Sequence, residues 1–150
     1  MKKVYFATDH AGFELKEHLK GFVEQLGYDV DDSGAFGLDT DDDYPDFVAP
    51  AIEKMLADDG SCAIILGGSG SGEAILANKF PGARAIVFYG DDVEIAYAGR
   101  HHNNANVLSV GARFTTLETA KEAVQAFLET EFAGEERHVR RIKKIQGYEK

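Results

Sequence analysis

Cysteine is nearly absent from this sequence. Cys62 stands alone among 150 residues, which excludes an intrachain disulfide framework and favours a reducing compartment. No apolar run approaches the roughly 20 residues needed to cross a bilayer. The opening stretch Val4-Tyr5-Phe6 turns polar at Thr8-Asp9-His10, too soon for a secretory signal, so the expected location is cytoplasmic. Basic charge is also in short supply: 16 Lys and Arg against 26 Asp and Glu leave a net charge of −10. General binding to nucleic acid or to an anionic membrane needs a basic face and is not expected. A metal-ligand pattern is missing too. His101 and His102 are adjacent and project differently, and no Cys or carboxylate spacing completes a usual set, so a metal is not expected. Repeats, low-complexity linkers and a second core are absent, and residues 1–150 read as one domain.

What is present alternates between short apolar runs and helical patterns. Lys3 to Ala7 reads as a strand. Leu15, Leu19, Phe22, Val23 and Leu26 fall at helical spacing, with Gly27 as the stop. Tyr28 to Asp32 is a second strand, Ser33 to Tyr44 a loop rich in Gly and Asp, and Pro45 opens a helix carrying Phe47, Val48, Ile52, Met55 and Leu56. Cys62 to Leu66 is the clearest buried strand, followed by a glycine-rich turn and a short helix through Ile75, Leu76 and Lys79. Pro81-Gly82 precedes the strand Ala85 to Phe88. A helix through Val93, Ile95, Ala96 and Tyr97 then leads to His101-His102-Asn103-Asn104, and Val107 to Ser109 is the fifth strand. A long helix through Leu117, Val124 and Phe127 and an amphipathic segment at about 135–146 close the chain. This order predicts an α/β fold, a Rossmann-like three-layer α/β/α sandwich around a five-stranded parallel sheet.

In such sheets ligands bind beyond the carboxyl ends of the strands, where strand order reverses. Two polar loops fall at that edge: Thr8-Asp9-His10 after the first strand, and Gly67 to Glu73 after the third. The second, Gly67-Gly68-Ser69-Gly70-Ser71-Gly72-Glu73, joins a strand to a helix and is an anion cradle in outline. It has Glu73 where a P-loop needs Lys and a dinucleotide fingerprint needs its third glycine, and neither serine has the flanks of a hydrolase elbow. Glu73 is either a residue that complements the helix dipole or, in a closed site, a general base beside amides that stabilise an oxyanion. Burial would raise its pKa and the helix terminus lower it. His10 is a candidate anion donor or acid/base, and His102 likewise. His102 precedes its strand, so it belongs near the opposite edge from the two loops. A role for it in the site requires a second subunit and predicts a homo-oligomer, most simply a two-fold dimer. Arg137, Arg140, Arg141, Lys143 and Lys144 crowd the C-terminal segment, as a solvated face or as a local anion site.

Several ordered motifs carry a family resemblance over nearly the whole chain. They are Asp9-His10-Ala11-Gly12, Asp43-Tyr44-Pro45, Gly67 to Glu73, Ala77-Asn78-Lys79, Gly82-Ala83-Arg84-Ala85, His102 to Leu108, Gly111-Ala112-Arg113, and Arg137-His138 with Arg141. On these the chain resembles the ribose-5-phosphate isomerase B family, which also includes galactose-6-phosphate isomerase subunits. The resemblance implies an aldose–ketose isomerase of a sugar phosphate, no metal or organic cofactor, and homodimers, alone or paired into tetramers, whose sites draw on both subunits. It implies ring opening by His102 with help from Asp9, and enediolate stabilisation by the amides around Ser69, Gly70, Ser71 and Gly72, next to Gly68. Sugar contacts would come from Asn103 and Tyr44, and phosphate binding from His10, Arg113, Arg137 and Arg141. Many members place a catalytic cysteine where this chain has Gly67, and those without it carry a glutamate at the start of the next helix. Glu73 is therefore the expected base, and the C-terminal helix is expected at the subunit interface. Substrates with five carbons are the first expectation, with six-carbon phosphates or a non-catalytic sugar-phosphate or nucleotide-binding module as alternatives. The acidic stretch Asp39 to Asp43 is less family-like.

Overall fold

A computed structural model describes residues 3–150. Its parallel sheet comprises β1 (Lys3–Thr8), β2 (Asp29–Asp32), β3 (Cys62–Gly67), β4 (Ala85–Phe88) and β5 (Val107–Gly111), in the order β2-β1-β3-β5-β4. The helices are α1 (Phe13–Gln25), α2 (Pro45–Leu56), α3 (Ser71–Ala77), α4 (Glu94–Asn103), α5 (Leu117–Glu129) and α6 (Glu136–Gln146), and a single 3-10 turn covers His10–Gly12. Among the described residues no helix is long and apolar enough to cross a membrane.

Side chains of a strand point alternately to its two faces, and both faces here are covered. Val4, Phe6, Cys62, Ile64, Leu66 and Leu108 pack against residues of α1, α4 and α5, including Leu19, Val23, Ala96, Val124 and Phe127. Tyr5, Ala7, Ala63, Ile65 and Val107 pack against α2 and α3 through Val48, Ile52, Met55 and Ala77. Cys62, the first residue of β3, thus belongs to the first core. Continuous apolar runs replace alternation in β1 and β3 because both of their faces are buried.

Strand order reverses between β1 and β3: the chain leaves β1 toward β2 on one side and returns to β3 on the other. Thr8 pairs with Leu66, and Gly67 with Gly111, so β1, β3 and β5 end flush and present their following loops together. The loop after β2 is tied to the same edge. Lys16, fully buried, and Lys20 both bind Asp32, at 2.5 and 2.6 Å, and the Gly34 N–H donates to Asp32 Oδ1 at 2.9 Å. The Thr8 N–H donates to Gly34 O at 2.8 Å, and the Ala35 N–H to Thr8 O at 2.9 Å. These bonds lead the acidic loop over the ends of the strands.

Strand ends differ from the sequence reading by one or two residues, as in β5, which runs on to Gly111, and two helix ends differ as well. Lys79 lies beyond α3, and His101-His102-Asn103 forms the last turn of α4 instead of a loop after it. Gly99 interrupts the apolar pattern there because it packs on Ile86, and the helix ends at Asn104 in the left-handed region, φ 47°.

Candidate active site

The site is built on the three flush strand ends. Asp9, 8% exposed, caps the 3-10 turn by accepting the Ala11 N–H at 3.0 Å. Thr8 Oγ1 donates across to Leu66 O at 3.0 Å, which fixes the Asp9-His10 turn against the end of β3. The loop after β3 is anchored to the loop after β5. Backbone N–H groups of Ala112 and Arg113 donate to Gly67 O and Gly68 O at 2.8 and 3.0 Å, and buried Ser109 Oγ donates to Gly70 O at 2.6 Å. Gly70 caps α3 with φ 78°, a conformation that glycine adopts without the Cβ clash other residues suffer.

Glu73 occupies the third position of α3 and is only 3% exposed. Its carboxylate fills the space that a side chain on residue 67 would take: a Cβ built there would overlap it, with Oε2 at 2.6 Å. Gly67 therefore makes room for Glu73 at the strand end. Burial is the main effect on this carboxyl and pushes its pKa above the ordinary 4.5. Its own amide opposes the rise, and the charge of nearby Asp9 adds to it. Both opposing influences foreseen from the sequence operate, and burial prevails.

Tyr44, at the start of α2, lays its phenol against Gly72, with Cζ 2.7 Å from where a Cβ would stand. The Arg113 guanidinium covers Gly68, its Nη1 3.1 Å from the corresponding position. First-turn amides of a helix lack intrahelical acceptors. That of Ser71 donates to Ser69 Oγ at 3.3 Å, and that of Glu73 serves its own carboxylate. One contact had no signal in the sequence. Asp42, from the acidic loop, accepts both the His10 backbone N–H at 3.0 Å and His10 Nδ1–H at 2.7 Å on the same oxygen. Asp9, His10 and Asp42 offer ligand-type atoms within 4.8 Å of one another. Asp9 Oδ1 already accepts the Ala11 N–H, and Asp42 Oδ1 the two His10 N–H groups.

Asp9, His10, Tyr44, Gly68, Ser69, Gly70, Ser71, Gly72, Glu73 and Arg113 thus converge on one edge. His102, Asn103, Arg137 and Arg141 do not join them. They form a second group where the end of α4 meets α6, just ahead of the amino-terminal edge of β5. His138, 6% exposed, stacks on His102 with ring centroids 4.8 Å apart and planes at 19°. Burial, followed by the charges of Arg137, His102 and Arg141, outweighs Glu135 and lowers the His138 pKa. The residues expected in the site therefore fall into two sets at opposite edges of the sheet.

The model of the ribose/galactose isomerase family matches residues 4–145. The chain is 45% identical over 148 residues to ribose-5-phosphate isomerase B of Mycolicibacterium paratuberculosis, covering 99% of this chain and 92% of that one. To the enzyme of the same name from Escherichia coli it is 35% identical over 149 residues, covering 99% and 97%. Among solved structures, a ribose 5-phosphate isomerase from Thermotoga maritima superposes with a TM-score of 0.90 at 38% identity, over 97% of this chain and 98% of that one. Ribose-5-phosphate isomerase B from Mycoplasma genitalium, with bound ribulose-5-phosphate, gives 0.91 at 35% identity, over 97% and 95%.

Proposed function

The chain belongs to the ribose/galactose isomerase family, and from that membership we propose that its site interconverts ribose 5-phosphate and ribulose 5-phosphate through a cis-enediolate. The observation that carries the residue assignment is the buried carboxylate of Glu73, seated against Gly67 at the switch point with Asp9 beside it. Glu73 takes the proton from C2 of the open-chain aldose, and the C2–H electron pair forms the enediolate as charge moves to the C1 oxygen. The C2 hydroxyl proton passes to the C1 oxygen, and as the C2 carbonyl forms the same carboxyl group returns its proton to C1, giving the ketose. A base with a pKa above the usual carboxylate range suits this task, because proton abstraction gains driving force as the base strengthens. Amides between Ser69 and Gly72 stabilise the oxyanion. Tyr44 contacts a sugar hydroxyl, and His10 and Arg113 bind the phosphate. Arginine forks match phosphate oxygens.

The second group completes the site from another copy of the chain. His102 opens the sugar ring with Asp9, Asn103 holds sugar oxygens, and Arg137 and Arg141 close on the phosphate. A two-fold dimer with α6 at its interface supplies this twice, because each copy offers what the other's site needs. The scheme uses no metal or organic cofactor, and a cytoplasmic setting suits a phosphorylated metabolite. Residues 1–150 act as a single domain.

The deciding experiment is an assay of purified, chelator-treated protein on ribose 5-phosphate in heavy water. Ribulose 5-phosphate forms with exchange of the carbon-bound hydrogen, and catalytic efficiency exceeds that on allose or galactose 6-phosphate. Ligand binding without exchange would make the chain a sugar-phosphate binding module. The base assignment has its own check. Gly67→Ala displaces the Glu73 carboxylate, so kcat/KM falls by about 100-fold, the scale of an ångström's misplacement. The free energy of unfolding falls with it by about 1–3 kcal/mol, the cost of overpacking.

A further inference from the structure

The acidic loop brings a carboxylate into the phosphate end of the site, where negative charge is out of place. The side chain of Asp42 is only 8% exposed. One of its oxygens receives two N–H groups of His10, and the other, Oδ2, is buried with no hydrogen-bond partner. An uncompensated buried carboxylate is costly. Its one direct ion-pair partner among the described residues is the imidazole of His10, at 2.7 Å.

We propose that Asp42 is a positioning residue of the phosphate subsite, fixing the His10 ring through Nδ1–H as an imidazolium and leaving Nε2–H for the phosphate of the substrate. The proposal rests on the reading of His10 as a phosphate ligand. Three charged groups act on that ring. Asp42 on the loop and Asp9 beside it in the chain favour the protonated form, and Arg113 after β5 disfavours it, as does desolvation. The hydrogen bond to Asp42 is the largest effect, and the His10 pKa is raised above the ordinary 6.5. The sign follows directly. Phosphate binding that needs His10 protonated is present below this raised value and is lost as pH climbs through it. Without Asp42 the loss occurs at lower pH.

The test is Asp42→Asn, in which an amide oxygen can still accept the two N–H groups but the charge is gone. KM for ribose 5-phosphate is measured between about pH 7 and 9, where a phosphate monoester is mostly dianionic, and Ki for inorganic phosphate is measured over the same range and corrected for the ligand's own ionisation. At pH 7.5 both constants rise about tenfold while kcat stays within about twofold, the result of losing one charge-assisted contact. The alkaline limb of phosphate affinity moves to lower pH. In a His10→Gln background the same substitution has no effect, because the two residues act as one unit. Simple Coulomb repulsion predicts the reverse, since removing a negative charge would tighten phosphate. Tighter binding, or an unmoved limb, overturns the proposal. If His10→Gln alone leaves KM and Ki unchanged, the phosphate role of His10 fails and the proposal with it. If that variant weakens binding and Asp42→Asn does not, only Asp42 loses its role. Activity lost on chelation and restored by a divalent cation also overturns it, since a metal would occupy Nδ1. Should Asp42→Asn not fold, NMR titration of wild-type His10 decides. An imidazole titrating at or below the ordinary value removes Asp42 from its role.

Discussion

Glu73→Gln lowers kcat by about 1000-fold and leaves KM for ribose 5-phosphate within about threefold. Gln has nearly the shape of Glu and fills the space beside Gly67, so the phosphate contacts proposed for His10 and Arg113 and the hydroxyl contact proposed for Tyr44 stay in place. What disappears is the group that accepts a proton, and general-base catalysis is worth about 100- to 10,000-fold. Equal loss in kcat and kcat/KM marks an interaction made only in the transition state. The wild-type pH profile carries the same signature. Burial raises the Glu73 pKa, helped by Asp9, and the base acts only when ionised. The acid limb of kcat therefore lies above the usual glutamate range and is missing from whatever residual activity the variant keeps.

Stability supplies an independent reading of the same carboxylate. A carboxyl group whose folded pKa is raised favours the folded state when protonated, and that contribution is lost as pH rises through the folded value. At neutral pH the wild-type protein thus carries the cost of an ionised, buried Glu73. Glu73→Gln removes the cost, so Tm rises at pH 7, and the gain shrinks toward about pH 4, where both forms are neutral. A variant that loses activity and Tm together would be a folding defect instead. Activity lost while Tm is gained is the pattern of a functional group held at the expense of stability.

The strand ends and the two loops beyond β1 and β3 were legible in the sequence because local chemistry determines them. Runs such as Cys62-Ala63-Ile64-Ile65-Leu66 exceed what a half-exposed strand would carry, and Gly67 to Glu73 combines a turn with a helix start. The same rules locate Pro45 at the first position of α2 and Gly27, φ 94°, past the end of α1. Asp42 was not legible. It is one acidic residue in a run of three, without period, and its approach to His10 depends on distant ties: Lys16 on Asp32, and Gly34 and Ala35 on Thr8. Nor did any pattern show that the Glu73 carboxylate turns back onto Gly67, because a missing side chain becomes a site only once the fold supplies its occupant. The stacking of His138 on His102 joins residues 36 positions apart in the chain and belongs to the same class of tertiary contact.

Two inactive variants, mixed, restore activity. In a dimer whose sites draw on both copies, Glu73→Gln spoils the edge a copy keeps and His102→Asn spoils the edge it lends. A heterodimer of the two has one site with both lesions and one with neither. Random exchange of equal amounts makes half the dimers hetero, so about a quarter of all sites are intact and specific activity returns to about 25% of wild type. Each parent alone stays below about 1%. Coexpression with two different affinity tags isolates the heterodimer itself, in which activity reaches about half the wild-type value. The prediction stems from geometry. Asp9 and Glu73 follow their strands, whereas His102 ends a helix that has run back to the other edge, and five residues of β5 span roughly 17 Å between those levels. No side-chain rotation bridges that distance. If the purified heterodimer is as inactive as its parents, His102 serves the site of its own chain or none at all, and the two-fold arrangement fails.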